Sequence, residues 1–292
     1  MKTVGKTDHE INTADPLVAI KASYQSLSPA NKRIADYVLK NPTETTELSI
    51  TALAEKCGVG EATVIRFCRC LKFNGFQELK LSIARNLVSP VSHIEHHIEI
   101  SDDFPTIVEK ITQRSSTVFA KTASILDLDD LQQAIDILAN SKKRLLCGIG
   151  FSGLSAATAN YQFMRLGLDC EYHQDLHFSN MRASSLGSGD ALLCFSHSGS
   201  TKDMVKCTQI AKDAKAKTIV VTSFPRSPIT RNADLVLCTS SQEHSIFGGT
   251  FAVRLSQSFI IYLLYVGLAL SLDAEGLEAS LKTAAAVSDE FF

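Results

Sequence analysis

The sequence lacks an apolar run long enough to span a bilayer. Its greasiest stretch, residues 259–270, is about twelve nearly uncharged residues, where a spanning helix needs roughly 20; it is read as a buried or subunit-interface helix. The first ten residues carry charges and no apolar segment, so no secretory leader is expected and a cytoplasmic location is. Eight cysteines are present, but no two form a CxxC pair or a zinc-ligand spacing, so neither a disulfide framework nor a metal centre is expected. Cys147, Cys194 and Cys238 fall inside apolar strand-like runs, where a thiol serves as a small hydrophobe. Proline and glycine are few, at 7 and 15, and no repeat or low-complexity tract occurs. With 45% apolar and 21% charged residues, disordered and fibrous classes are excluded, and 292 residues suffice for two ordinary domains.

The net charge of -2 hides an asymmetry. Residues 1–92 hold 12 Lys+Arg against 9 Asp+Glu, and the remainder 17 against 22. A basic head on an acidic body suits a nucleic-acid partner for the head.

Three regions follow from periodicity. From Pro16 to Val88 apolar residues recur at helical spacing, which predicts about five packed helices and a first domain over 1–88. Ser28-Pro29 is an N-cap and first-turn pair, and Asn41-Pro42 stops the helix lined by Ile34, Ala35, Val38 and Leu39. Residues 89–104 lose any period and are assigned as a linker. Its His93, His96 and His97 share one helical turn but have no carboxylate or thiol partner, so no metal is assigned to them. In 105–292, after helices near 105–124 and 128–141, short apolar runs alternate with helices. The runs are 144–149, 191–195, 218–222 and 235–238, with a weaker one near 169–172. That alternation predicts a doubly wound, parallel five-stranded α/β sheet of flavodoxin-like type, covered on both faces.

Within the helical region, Ser49–Leu71 reads as two short helices about a tight turn, a helix-turn-helix. Ala54 is small where the helices would cross, Gly58 supplies a positive φ, and Val59, Val64 and Phe67 fill the space between. The second helix, 61–71, would enter the major groove of double-stranded DNA with its first turn toward bases. Thr63, Arg66 and Arg69 are the candidate contacts, the arginines one turn apart and suited to guanine or phosphate. Lys72, Asn74, Lys80 and Arg85 are candidates for the DNA backbone.

In the second region, Gly148-Ile-Gly-Phe-Ser-Gly153 follows one strand and opens a helix. Glycines there let the main chain approach a phosphate at the helix start, and Asp169 or Glu171 about 20 residues on matches a dinucleotide fingerprint. A second cradle, Ser196-His-Ser-Gly-Ser-Thr201, follows the third strand. Ser196, Ser198 and Thr201 supply hydroxyl donors and Gly199 bends the chain, a feature that a dinucleotide fold does not need.

Together the EATVIRFCR stretch at 61–69, NGFQELK at 74–80 and SHSGST at 196–201 resemble the RpiR-type regulators. These have an N-terminal helix-turn-helix and a C-terminal sugar isomerase (SIS) domain. The resemblance covers about residues 16–290. It implies a homodimer or homotetramer on a palindromic operator, a phosphorylated sugar as effector, and control of carbohydrate genes, with no cofactor, metal or catalytic residue. Ser152, Ser196, Ser198 and Thr201 match the family's phosphate-holding positions, Gly153 and His197 are taken beside them as ligand-binding candidates, and Glu243 falls near the sugar-ring contacts. Gly60 departs from the Ser or Thr that caps the recognition helix in many relatives.

Two enzyme readings stay beside this one. A phosphosugar isomerase needs a general base, for which Glu243, His244 and Glu171 are the candidates. A nicotinamide-dependent enzyme or NAD-sensing repressor would use Gly148–Gly153.

Overall fold

The computed structural model describes residues 16–24, 27–87, 98–240 and 249–286. It falls into two compact units, 1–93 and 94–292.

The first unit holds six helices among the described residues, one more than the periodicity suggests: α1 (Pro16–Ser23), α2 (Pro29–Lys40), α3 (Pro42–Glu47), α4 (Ile50–Lys56), α5 (Glu61–Cys70) and α6 (Phe76–Leu87). The extra element is α3. Pro42 ends α2 as expected but also sits at the first position of a new helix, where its missing N–H costs nothing. Ser28 caps α2 by accepting from the Asn31 N–H (3.3 Å), and Ser49 caps α4 by accepting from the Ala52 N–H (3.1 Å). One apolar cluster closes the unit, with Ile34, Val38, Leu53, Val64, Phe67, Leu79 and Ile83 fully buried in it.

The second unit begins with α7 (Phe104–Ile125) and α8 (Leu128–Asn140) and then alternates strand and helix. The order is β1 (Arg144–Cys147), α9 (Phe151–Arg165), β2 (Cys170–Tyr172), α10 (Leu176–Ser184), β3 (Ala191–Phe195), α11 (Lys202–Asp213), β4 (Lys217–Thr222), β5 (Leu235–Cys238) and α12 (Gly249–Ala285). A short 3-10 turn, Ile229–Asn232, precedes β5. All pairings are parallel and the strand order is β2-β1-β3-β4-β5, the flavodoxin-like winding.

Side-chain alternation divides the core. Leu146, Leu193, Phe195 and Val221 face α8, α9 and α12, while Leu145, Cys147, Leu192, Cys194 and Val220 face α10 and α11. Both faces of the sheet are therefore covered, which is why its strands read as continuous apolar runs. Contrary to the twelve-residue apolar run read from the sequence, helix α12 is long and apolar enough to cross a membrane by length and composition, yet Ile260, Ile261, Leu264 and Leu268 are buried in the core shared with α8 and α9. The helix expected over 250–272 continues to Ala285 past one non-helical residue, Asp273 (φ 46°).

Candidate functional site

The helix-turn-helix is built by α4 and α5. Gly58 takes φ +61° in the turn, Ala54 is buried where the two helices meet, and Val64 and Phe67 are fully buried beneath α5. Arg33 of α2 clamps the turn from behind, donating through Nε to the Cys57 carbonyl and through Nη2 to the Gly58 carbonyl, both at 3.1 Å. Thr51 of α4 donates to the Glu61 carboxylate (2.5 Å) and so ties the two helices at the start of α5. Gly60 caps α5 with no side-chain hydrogen bond.

The expected DNA-facing residues divide into two groups. Arg66 and Arg69 are exposed on α5 and Thr63 is half-buried, with Arg66 Nη2 donating to Thr63 Oγ1 (2.8 Å). Lys72 is exposed just past the helix at φ 65°. Asn74 instead donates both its main-chain N–H (2.7 Å) and its side-chain amide (2.9 Å) to Glu78 Oε2, bracing the start of α6. Lys80 corrects the expectation outright. It is buried, donates to the Leu48 carbonyl (2.8 Å) and lies 5.6 Å from the Phe76 ring centroid, so its ammonium serves the bundle and not a phosphate. The Arg85 side chain and His93, His96 and His97 lie outside what is described.

The second candidate site lies at the carboxyl edge of the sheet. Strands β1 and β3 are neighbours in register through Cys147↔Cys194, and the chain leaves them toward opposite faces, α9 on one and α11 on the other. In open α/β sheets such a switch point is where ligands bind. A Cβ on Gly148 would come within 2.3 Å of the Ser152 carbonyl oxygen, and one on Gly153 within 3.0 Å of both the Gly148 carbonyl and the Tyr172 hydroxyl. These two glycines therefore close-pack α9 against the strand end. Gly150 (φ 60°) leaves α9 without a side-chain cap, and since the Gly153 N–H already donates to the Gly150 carbonyl (3.0 Å), it is the N–H groups of Phe151 and Ser152 that face an anion at the helix start.

The loop after β3 is held from below. Gly199 takes φ +59° with no room for a Cβ, which would meet Ser227 Oγ at 2.0 Å. The Ser198 hydroxyl accepts from the Ser200 N–H (3.3 Å), and Thr201 stands at the N-cap of α11 without using its hydroxyl there. His197 is tied sideways, its Nδ1 3.0 Å from Ser223 Oγ, which is in turn 2.8 Å from Thr239 Oγ1. Ser196 is different. Its side chain is buried and Oγ has no hydrogen-bond partner among the described residues, a costly state for a buried hydroxyl unless a further group meets it.

Ser152 is also buried, and its hydroxyl accepts from Gln257 Nε2 of α12 (3.0 Å). Arg254, one turn before Gln257, lies with its guanidinium 5.8 Å from the Phe151 ring centroid. Arg254 stood out in the sequence as a partner for an acid, whereas Gln257 did not, because nothing local marks a glutamine on an apolar helix as facing a loop some 105 positions away.

Glu171, the candidate base and the candidate ribose ligand, is already engaged. Arg182 grips both its oxygens and His173 Nε2 lies 3.1 Å away. The Arg182 guanidinium, and secondarily His173, hold its carboxyl below the usual carboxylate range. Glu243 and His244 lie outside the described residues. Among the described residues no group of three His, Cys, Asp or Glu is placed to hold a metal. Hydrogen bonding with Cys194, followed by burial, pushes the Cys147 thiol well above its ordinary value.

Residues 15–90 match the model for the helix-turn-helix domain of the rpiR family, and residues 137–267 match the SIS domain. A relative from Caldanaerobacter subterraneus, named an uncharacterized HTH-type transcriptional regulator, is 36% identical over 252 residues, spanning 86% of this chain and 89% of its own length. The chain belongs to the RpiR family of transcriptional regulators. Another RpiR-type relative, from Haemophilus influenzae, carries the same description and is 34% identical over 250 residues, 84% of this chain and 87% of its own. The fold matches the NanR protein of Vibrio vulnificus, solved in complex with ManNAc-6P, at a TM-score of 0.82 and 24% identity, covering 94% of this chain and 99% of NanR. This RpiR-family chain therefore joins a helix-turn-helix to a SIS domain over most of its length.

Proposed function

We propose that this regulator reads operator DNA with α5 and responds to a phosphorylated sugar held between the loops after β1 and β3, controlling genes of carbohydrate use in the cytoplasm. The observation that carries the effector reading is the buried, unpartnered Ser196 hydroxyl at the point where the chain departs from β1 and β3 to opposite faces. Around it stand Ser152, Gly153, Ser198 and Thr201, the open N–H groups of α9 and the unused hydroxyl at the start of α11. Such a set donates many hydrogen bonds at no cost in side-chain charge, which is what a phosphate dianion recruits. His197 then holds the floor of the loop, and Glu243, which lies outside the described residues, keeps the sugar-ring contact that the family resemblance implies. The ligand named for NanR, ManNAc-6P, makes hexose and hexosamine 6-phosphates the class to test.

On the DNA side, Arg66, Arg69 and Thr63 form the base-facing row and Lys72 meets the backbone. Two copies of the chain read a palindromic site. The exposed stripe Tyr262, Val266 and Leu270 on α12 supports a subunit contact there, since a second copy would cover it. An isomerase reading is not favoured, because Glu171 is committed to Arg182 and the carboxylate nearest the β3 loop in sequence, Asp203 in the first turn of α11, is exposed to solvent.

Operator binding followed by fluorescence anisotropy across a panel of sugar 6-phosphates tests the proposal. One of them is expected to shift affinity severalfold, and the protein is expected to turn none of them over. A panel with no effect, or steady turnover, would overturn the reading. Arg66→Ala is expected to abolish specific binding; a near-unchanged operator affinity would move the recognition helix elsewhere. Ser198→Ala is expected to keep DNA binding while blunting the effector response.

A further inference from the structure

Helix α12 presents Ile260, Ile261, Leu264 and Leu268 to the core, yet one turn earlier its inward residue is Gln257, fully buried. A buried primary amide persists only where its donors and acceptor are met. Here Ser155 Oγ lies 2.7 Å from Gln257 Oε1 and donates to it, while Gln257 Nε2 lies 3.0 Å from Ser152 Oγ. The Ser155 proton fixes the amide with its NH2 toward Ser152, so Ser152 receives a hydrogen bond at Oγ. A hydroxyl that accepts one bond keeps its own proton to donate. The other two aliphatic hydroxyls of α9 have acceptors: Thr158 donates to the Leu154 carbonyl (2.8 Å), and the single Ser155 proton goes to Gln257 Oε1, the closer partner, rather than to the Phe151 carbonyl at 3.3 Å. Ser152 has no acceptor for its proton among the described residues, and it lies in the first, uncapped turn of α9, which follows β1, the neighbour of the strand that Ser196 follows.

We propose that Gln257 is a positioning residue that fixes Ser152 as a hydrogen-bond donor toward the phosphoryl oxygen of the effector. This rests on the phosphosugar reading above and adds a residue to it from a helix that the loop motifs do not contain. The donor set then draws on both sides of the switch point: Ser152, oriented by α12, from the β1 side, and Ser196, Ser198 and Thr201 from the β3 side. Because Gln257 sits on the helix whose outer stripe is proposed to meet a second copy, phosphate occupancy and the seating of α12 share one hydrogen-bonded link.

The test is calorimetric titration of the full-length chain with inorganic phosphate and with ManNAc-6P, using unphosphorylated ManNAc as the control. Gln257→Met keeps the volume and removes the donor, and is expected to weaken phosphate binding about tenfold. Gln257→Glu accepts from both serines when ionised and takes the Ser152 proton, so its loss at neutral pH is expected to be larger. Relative to the parent at the same pH, that loss is expected to shrink on acidification as the new carboxyl gains a proton and donates. A purely structural glutamine would lower the melting temperature and leave the dissociation constant and its pH profile unchanged, which overturns the proposal. Should Gln257→Met fail to fold, Ser155→Ala frees the amide to rotate, and an unchanged affinity there overturns it equally. If the parent chain binds neither phosphate probe, the phosphosugar reading itself falls.

Discussion

Single side chains in this protein are read correctly only once their partners are known, and the eight cysteines make the point. Cys57, Cys68, Cys147, Cys194 and Cys207 are buried, Cys170 and Cys238 are half-buried, and Cys70 alone is exposed. Burial pushes the Cys68 and Cys170 thiols up to about 12 and also raises that of Cys238, which suppresses the reactive thiolate. Native protein at pH 8 is therefore expected to react rapidly with a thiol reagent at one position per chain, Cys70, and at eight after unfolding. Lys80 teaches the same lesson: a lysine read from sequence as a phosphate contact turns inward to the Leu48 carbonyl. Lys80→Met is expected to lower stability by about 1–2 kcal/mol in urea unfolding and to leave the salt dependence of DNA binding unchanged. At Gly199, a side chain meets both positive φ and the Ser227 hydroxyl. Gly199→Ala is expected to cost about 1–3 kcal/mol in the same assay.

At the scale of the element, helix ends and ion pairs decide local order. Helix α5 starts at Gly60, whose extended φ and ψ suit an N-cap and whose Cβ position is open. Gly60→Ser is expected to gain a few tenths of a kcal/mol, read as a small rise in melting temperature. The Arg182–Glu171 pair joins α10 to β2. Because the folded-state pKa of Glu171 is lowered from 4.5, its contribution is fully present above that value and is lost as pH falls through the folded-state pKa. Arg182→Met is expected to flatten the acid limb of the stability profile between about pH 5 and the folded-state value, measured by unfolding at a series of pH values. Helix α2 was legible from its cap and period, and α4 and α5 from period and the turn glycine between them, since Ser28 and Gly58 act on main-chain groups only a few residues away. The additional helix α3 was not, because Asn41-Pro42 serves equally as a stop and a start.

Across the whole molecule the two units have separate cores that share no residue, so unfolding need not follow a single two-state transition. A phosphosugar bound at the switch point is expected to raise the transition of the second unit alone, by about 2.7 kcal/mol at a free concentration of 100 times the dissociation constant. Scanning calorimetry with and without ligand checks this, and an equal shift in both transitions would mean that the ligand also binds the first unit or couples the two. Since a ligand shifts an equilibrium only through its differential affinity for two states, the effector's influence on DNA has to pass through elements that touch its site.

The sequence by itself determined the class of each unit, the helix-turn-helix and the two strand-to-helix loops proposed to hold phosphate, because periodicity, caps, turn glycines and strand-to-helix junctions all act within a few positions along the chain. Only the tertiary structure decided which side chains serve those motifs. Arg33 reaches the turn from 24 residues away, and Gln257 reaches Ser152 from 105. Ser196 is left with no partner among the described residues by packing around it, not by its neighbours in sequence. Hydrogen bonds between distant segments depend on how helices and strands pack, and a pattern of apolar residues specifies which face turns inward without saying what it will meet there.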